Sequence, residues 1–380
     1  MLVPLLGFPV EERELFSDSL IQYHSSATLP PSDVYMCRRL IDLGAKALAR
    51  RRIYLDTKYW ILLRDAAAGR PAAPSHTELL RTLRAQVQSG VAICPVADAA
   101  FLELQKQQDA ESRRRMARVM DELSQGLSLK TYEERVRAEL LHFVREQPGS
   151  GEGLYPLKQM VWNRVGFVLG SLRPEPELEV PDWVLRGWYD LMWSTPLEQM
   201  SEALGSAMPN QREVWENLAS KLNRGKQEHH GQLKSFAGAL EAEIIGAIDA
   251  HAEDIRGAVA HACVLPGRSA TVTPFQVAEA SARLRDAIRR ELLGTKSTRC
   301  PTFAVHAGIH AAVRWDRGRK YRPNDWLDYM HAGGAIGYCD VFLTERSLAT
   351  LLVSPQLAFD QRYRTRVAHN PEEALEIVRS

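Results

Sequence analysis

The chain is poor in the features that announce the commoner functional classes. Its 380 residues include five cysteines, Cys37, Cys94, Cys263, Cys300 and Cys339. They are odd in number, widely spaced and without a CxxC pair, which argues against both a disulfide framework and a thiolate zinc site and points to a reducing, cytoplasmic setting. No apolar run reaches membrane-spanning length, so no membrane association is expected. The apolar start Met1 to Val10 lacks a basic leader and runs into Glu11-Glu12-Arg13-Glu14, unlike a signal peptide. Neither sign of charge dominates: the net charge is +1, so any nucleic-acid contact must rest on a local patch rather than on the field of the whole molecule. G-x-S-x-G and G-x-x-x-x-G-K-[ST] are both missing, which removes the usual signals of an α/β serine hydrolase and of a phosphate-binding loop. There is no internal repeat and no low-complexity tract. What remains is an ordinary globular composition, 45% apolar and 25% charged, on a chain long enough for two or three domains.

The organising stretch is Arg52 to Ile61, an apolar, β-branched and aromatic run that reads as a buried strand ending on Asp56. Before it, residues 1–49 form a proline-marked lead-in, with a short helical piece near Leu15 to Gln22 and a helix capped by Ser32 or Asp33. After it, Val91 to Val96 reads as a second strand, Asp98 as the N-cap of the helix bearing Glu103, and Ser128 to Tyr132 as a peripheral third strand. The Gly-rich stretch Gln147 to Gly153 is the clearest linker. Residues 148–299 have helical period throughout and no convincing strand, so they read as an all-α insertion whose tryptophans, Trp162, Trp183, Trp188, Trp193 and Trp215, pack in its core. The polar stretch Asn223 to Leu233, with His229-His230, reads as a loop. The α/β pattern returns over 300–380 with helices Pro301 to Ala312 and Asn324 to Gly337, strands Val341 to Thr344 and Tyr363 to Val367, and a terminal helix from Pro371. Strands alternating with helices predict a parallel sheet. Residues 50–147 and 300–380 should share it, because neither half alone has enough strands to bury both faces.

The acids gather at one place in this scheme. Asp56 ends the first strand, Glu103 lies in the helix after the second, Asp325 and Asp328 lie three apart on one helical face, and Glu345 follows the late strand. Strand-end acids are ordinarily turn and capping residues, and Asp98, Asp325 and Asp340 individually fit that default. As a set, however, carboxylates at one sheet edge repel one another, so they imply raised pKa values or a bound cation. Hard divalent ions prefer such oxygen ligands and could activate water against a phosphodiester. The run Arg314 to Arg322, with Arg314, Arg317, Arg319, Lys320 and Arg322 interleaved with Trp315 and Tyr321, adjoins Asp325. Such a run could hold phosphates while an aromatic stacks on a base, with Arg113-Arg114-Arg115 as a lesser addition. Lys58 could touch a phosphate or pair with an acid. His306 and His310 have the spacing of a zinc helix but no third ligand, so packing histidines are expected.

Three segments together resemble the PIN-like nucleases: Leu55-Asp56-Thr57, Phe101-Leu102-Glu103-Leu104, and Asp328-Tyr329-Met330-His331-Ala332 followed by Asp340-Val341-Phe342-Leu343-Thr344-Glu345. The resemblance covers roughly 50–145 and 300–380. It implies an α/β fold with a PIN-like parallel sheet flanked by helices and interrupted by the insertion. It also implies Mg2+ or Mn2+ held by Asp56, Glu103 and Asp328, with Asp325 and Glu345 as outer or alternative ligands, and a nuclease acting on RNA in preference to DNA. Arg346 stands where the family often has another aspartate, which leaves the number of metals open. The alternatives are a non-catalytic PIN-like scaffold that binds RNA or protein, and a toxin-like nuclease restrained by an inhibitory protein partner. A homo-oligomer is also compatible.

Overall fold

Strand β1 (Arg51–Leu55) lies at the centre of the molecule because its inner residues can be buried on both faces, as parallel strands between helical layers require. In the computed structural model, which describes residues 23–25, 28–146, 155–171, 180–205, 212–229, 231, 233–263, 273–294 and 297–380, β1 pairs in parallel with β2 (Ala92–Ile93) and with β5 (Val341–Leu343), and β5 pairs in parallel with β6 (Arg366–Ala368). The sheet order is β2-β1-β5-β6. The expectation that 50–147 and 300–380 contribute to one sheet is therefore met. The remainder of the described chain is mostly helical, which makes the protein mixed α/β.

The two-residue period of a strand divides the core. Tyr54 and Phe342, paired in register, face one side with their rings 5.5 Å apart edge to face, whereas Ile53, Leu55, Val341 and Leu343 face the other. Helices Thr57–Ala67, Pro74–Gln88 and Ala110–Ser124 cover the second side through Trp60, Leu79 and Met120. The first side is covered by helices Tyr132–Arg145, Pro301–Trp315 and Asp325–Tyr338. The last two approach closely: a Cβ on Gly337 would lie 2.6 Å from the Pro301 side chain, so glycine is needed there.

The middle of the chain departs from its sequence reading in three ways. Trp162 lies not in a helix but in strand β4 (Trp162–Arg164), which pairs antiparallel with β3 (Leu127–Leu129) in a second, two-stranded sheet. Helix Arg212–His229 runs through most of the stretch read as a loop. Of the five tryptophans read as core, only Trp162 is fully buried; Trp215 instead stacks on Trp326. Ile244, Ile248 and Ile288 of the middle helices join the cluster containing Tyr54 and Phe342, whereas Phe167, Tyr189 and Met192 form a small cluster of their own. The proposed helical piece at 15–22 and the linker at 147–153 lie outside the described residues. Among the described residues no helix is long and apolar enough to cross a membrane.

One buried acid far from the strand-end cluster has its own consequence. Glu139 accepts hydrogen bonds from the Thr302 N–H (2.7 Å) and the Tyr338 hydroxyl, and is 1% exposed. Burial, opposed by those bonds and by nearby Arg135, pushes its pKa from 4.5 up to about 7. A raised folded pKa means that the stabilisation is complete below the unfolded value and is lost as pH rises through about 7. Glu139→Gln keeps the acceptor oxygen and removes the ionisation. Urea unfolding at pH 5 and pH 8 should therefore show the wild type losing up to roughly 3 kcal/mol more than the variant across that interval. Equal losses would mean that Glu139 ionises as it does in the unfolded chain.

Candidate active site

Asp56 follows the last residue of β1 and is the N-cap of helix Thr57–Ala67. Its Oδ1 accepts from the Tyr59 N–H (3.3 Å) and its Oδ2 from the Glu345 N–H (2.9 Å), so the carboxylate both starts the helix and ties the end of β5 to the end of β1. It is 6% exposed. Burial raises its pKa, with the Glu103 charge adding to the rise and His331 and the Tyr59 amide opposing it.

Glu103 enters from helix Asp98–Gln105, which begins after β2. Its Oε2 accepts from the Thr57 hydroxyl and lies 3.0 Å from His331 Nε2, while His331 Nδ1 lies 2.8 Å from the Tyr54 hydroxyl. His331 is almost fully buried. Burial alone would lower its pKa, but the hydrogen bond to Glu103 and the charges of Glu103, Asp56 and Asp328 raise it. For Glu103, burial acts upward and is outweighed by the bond and charge of His331 and by the Thr57 hydroxyl, so the net shift is downward. The sequence expectation of raised pKa values at all three acids is therefore corrected at Glu103. Its charge is met by an imidazolium from the next turn of the helix that carries Asp328.

Asp328 lies in the first turn of helix Asp325–Tyr338, where the helix dipole favours an anion. Even so, burial pushes its pKa up to about 7, with His331 opposing and Glu345, Glu103 and Asp56 reinforcing. The structure thus brings Asp328 within electrostatic reach of Asp56, Glu103 and Glu345, and Asp56 within reach of Glu103, at the carboxyl edge of the sheet. Glu345 also accepts from the Ser347 hydroxyl. Asp325 is used elsewhere: its Oδ2 accepts from the Arg322 N–H (2.9 Å) and the Tyr329 hydroxyl (3.3 Å), closing the loop before the helix. Asp340 lies at the opposite edge, bound to the Arg52 N–H and guanidinium. Among the described residues, no three or more His, Cys, Asp and Glu side chains form a group that could hold a metal ion as they stand.

The basic run is a loop held by the middle helices. Asn223 exchanges two hydrogen bonds with the Tyr321 backbone, and the Lys226 ammonium donates to the carbonyls of Val313, Asp316 and Arg319. Arg317, Lys320 and Arg322 are exposed and Arg319 is half-buried, whereas Arg314 is paired with Glu243. Tyr321 is buried against His310, so only Trp315 of the two aromatics remains open to a base. Lys58 donates to the His369 carbonyl (2.8 Å) rather than to an acid. Arg114 and Arg115 are paired with Glu111, and Arg113 donates to the Gln107 carbonyl. His306 and His310 pack edge to face against Trp326, and burial lowers both, His310 to about 4. They are packing residues.

Sequence reasoning read His331, which follows the acidic helix face, as a packing residue or a support for the metal ligands, and gave no role to Tyr54, Thr57 or Lys106. The signal for His331 was its position three residues after Asp328, one helical turn on the same face. Lys106 follows Glu103 by the same spacing, and its ammonium reaches Asn324 Oδ1 at 3.5 Å, joining the two acid-bearing helices. Comparison of the chain with protein-family models, with curated proteins and with solved structures yields no match.

Proposed function

We propose that the acidic cluster at the carboxyl edge of the sheet holds Mg2+ or Mn2+ and hydrolyses phosphodiester bonds in a PIN-like nuclease, with RNA favoured over DNA by the family resemblance. The observation that carries this reading is Asp328, a carboxyl pushed up to about 7 in the company of three other acids. Like charges gathered in this way are a recurrent property of cation sites and catalytic sites. The donor chemistry fits, since all four acids offer hard oxygen ligands. Each Asp56 oxygen accepts one N–H, which leaves lone pairs for a cation.

In this reading Asp56 and Asp328 hold the ion, Glu103 completes the set, and Glu345 is an outer ligand. His331 and Thr57 fix the orientation of Glu103, and Tyr54 fixes His331, a chain of contacts of the kind that orients metal ligands. When bound, the ion supplies a water of lowered pKa and stabilisation of the leaving oxygen. The test is cleavage of end-labelled single-stranded RNA and DNA by the full chain in Mg2+, Mn2+ and EDTA, with Asp56→Asn alongside. Cleavage that needs the ion and Asp56 is expected; cleavage that persists in EDTA or in the variant contradicts the reading.

The exposed cations of the loop are then the phosphate contacts. Alanine at Arg317, Arg319 and Lys320 should weaken RNA binding and flatten its salt dependence by roughly two to three released counterions, with cleavage at saturating RNA retained. An unchanged salt slope would make the loop an ordinary solvated turn. A second reading, a scaffold that binds RNA or protein without cleaving it, is favoured by the Glu103–His331 pair, which satisfies this carboxylate without a cation. Ion-independent RNA binding without cleavage is its distinguishing result.

A further inference from the structure

Asp56, Glu103, Asp328 and Glu345 outnumber the positive charges of His331 and one divalent ion, so the loaded cluster stays anionic and repels a phosphodiester brought to it. Hydrolysis there needs a further cation where the phosphate enters. Lys58 is not placed for it, since its ammonium is turned to the His369 carbonyl (2.8 Å) and the Tyr59 ring.

Lys106 is placed for it. It is the C-cap of helix Asp98–Gln105 and keeps helical backbone angles (φ −69°, ψ −17°), so it stays on the face of Glu103, one turn on. Glu103 is half-buried and Lys106 exposed, which puts the carboxylate inside the cluster and the ammonium at its mouth, near enough for its charge to act on Glu103. Among the described residues no acid lies within ion-pair distance of Lys106, and its contact with Asn324 Oδ1 is long at 3.5 Å. An ammonium carries three donors, so N–H groups remain to be given. Asn324 lies between the basic loop and helix Asp325–Tyr338, so Lys106 stands where the exposed cations meet the helix that bears Asp328.

We propose that Lys106 is a catalytic residue that holds the scissile phosphodiester, its ammonium donating to a non-bridging oxygen. This rests on the reading of the cluster as a metal-dependent nuclease. Lys106 takes no part in the bond changes: the water oxygen bonds to phosphorus, the bond from phosphorus to one sugar oxygen breaks, the water gives a proton to solvent and the leaving oxygen takes one. Its role is to stabilise the charge that grows on the phosphoryl oxygens, a contribution made in the transition state rather than in binding. That separates it from Arg317, Arg319 and Lys320, which hold phosphates that do not react. A lysine at a helix C-terminus also favours the helix dipole, but that role moves stability alone.

The test follows cleavage of end-labelled single-stranded RNA by the full chain in Mn2+ at pH 8, for wild type, Lys106→Met and Lys106→Arg. Lys106→Met is expected to lower kcat about a hundredfold with KM and melting temperature little changed, and Lys106→Arg to restore most of the loss. Uptake of Mn2+ by Lys106→Met, read from the paramagnetic resonance signal of the free ion, should equal or exceed that of the wild type, because a cation beside the acids has been removed. A wild type that cleaves while Lys106→Met cleaves as fast overturns the assignment of Lys106 alone. So does a rise in KM with kcat retained, which marks a grip on the backbone, or a loss of kcat that follows a fall in melting temperature or that arginine does not restore. A wild type that does not cleave overturns the reading of the cluster and this assignment together.

Discussion

Asp328→Asn should abolish ion-dependent cleavage, by about three orders of magnitude or more, equivalent to about 4 kcal/mol in the barrier, and should at the same time make the protein more stable at pH 8. The two effects have one cause. Burial and the charges of Glu345, Glu103 and Asp56 disfavour the ionised form of Asp328 and push its pKa from 3.8 up to about 7. With the folded value raised, the stabilising contribution is complete below the unfolded value and is lost as pH rises through about 7. Above that, the ionised residue is a burden that asparagine removes, by about 1–3 kcal/mol after allowance for its partial exposure. At pH 4 the two proteins should melt nearly together. A variant that is destabilised at pH 8, or that cleaves at the wild-type rate, would detach Asp328 from both the electrostatics and the chemistry.

His331→Leu should have the largest effect on stability, about 3–5 kcal/mol, because it leaves Glu103 as a buried carboxylate without its counter-charge and removes the partner of the Tyr54 hydroxyl. Adding Glu103→Gln should recover much of the loss, a coupling that a double-mutant cycle in urea measures. The pH dependence has a definite sign. His331 has a raised pKa, so its stabilisation is complete below 6.5, its ordinary value, and is lost as pH rises through the folded value. The gap between wild type and His331→Leu should narrow at high pH. Additive losses in the cycle would reduce His331 to a packing residue.

The parts of this arrangement that were legible in sequence are the ones that local pattern encodes. The run ending at Asp56 is continuously apolar and β-branched and closes on a cap residue, and the helix bearing Glu103 follows a buried strand with an acid in its first turn. The parallel sheet followed from alternation of strands and helices, which is a property of order rather than of distance. What stayed hidden depends on contacts between remote segments. β4 is three residues long and exists as a strand only because Leu127–Leu129 pairs with it. The lowered pKa of Glu103 needs His331, 228 positions away, and the orientation of His331 needs Tyr54, 277 positions away. Asp325 and Asp328 share one helical face, yet Asp325 turns back to the loop through Arg322 and Tyr329. Spacing on a helix specifies a face and leaves the rotamer open. The middle helices looked like an independent unit because composition changes at the linker, whereas the apolar faces of helices Phe236–Ala250 and Pro274–Leu293 join the core that contains Tyr54.

The most direct test of the central claim is a titration of the full chain with Mn2+, following the electron paramagnetic resonance signal of the free ion, for wild type and Asp56→Asn at pH 8. The wild type is expected to remove at least one equivalent of Mn2+ from solution and the variant, folded as judged by its circular dichroism, to remove far less. Equal and weak depletion by both proteins would contradict it.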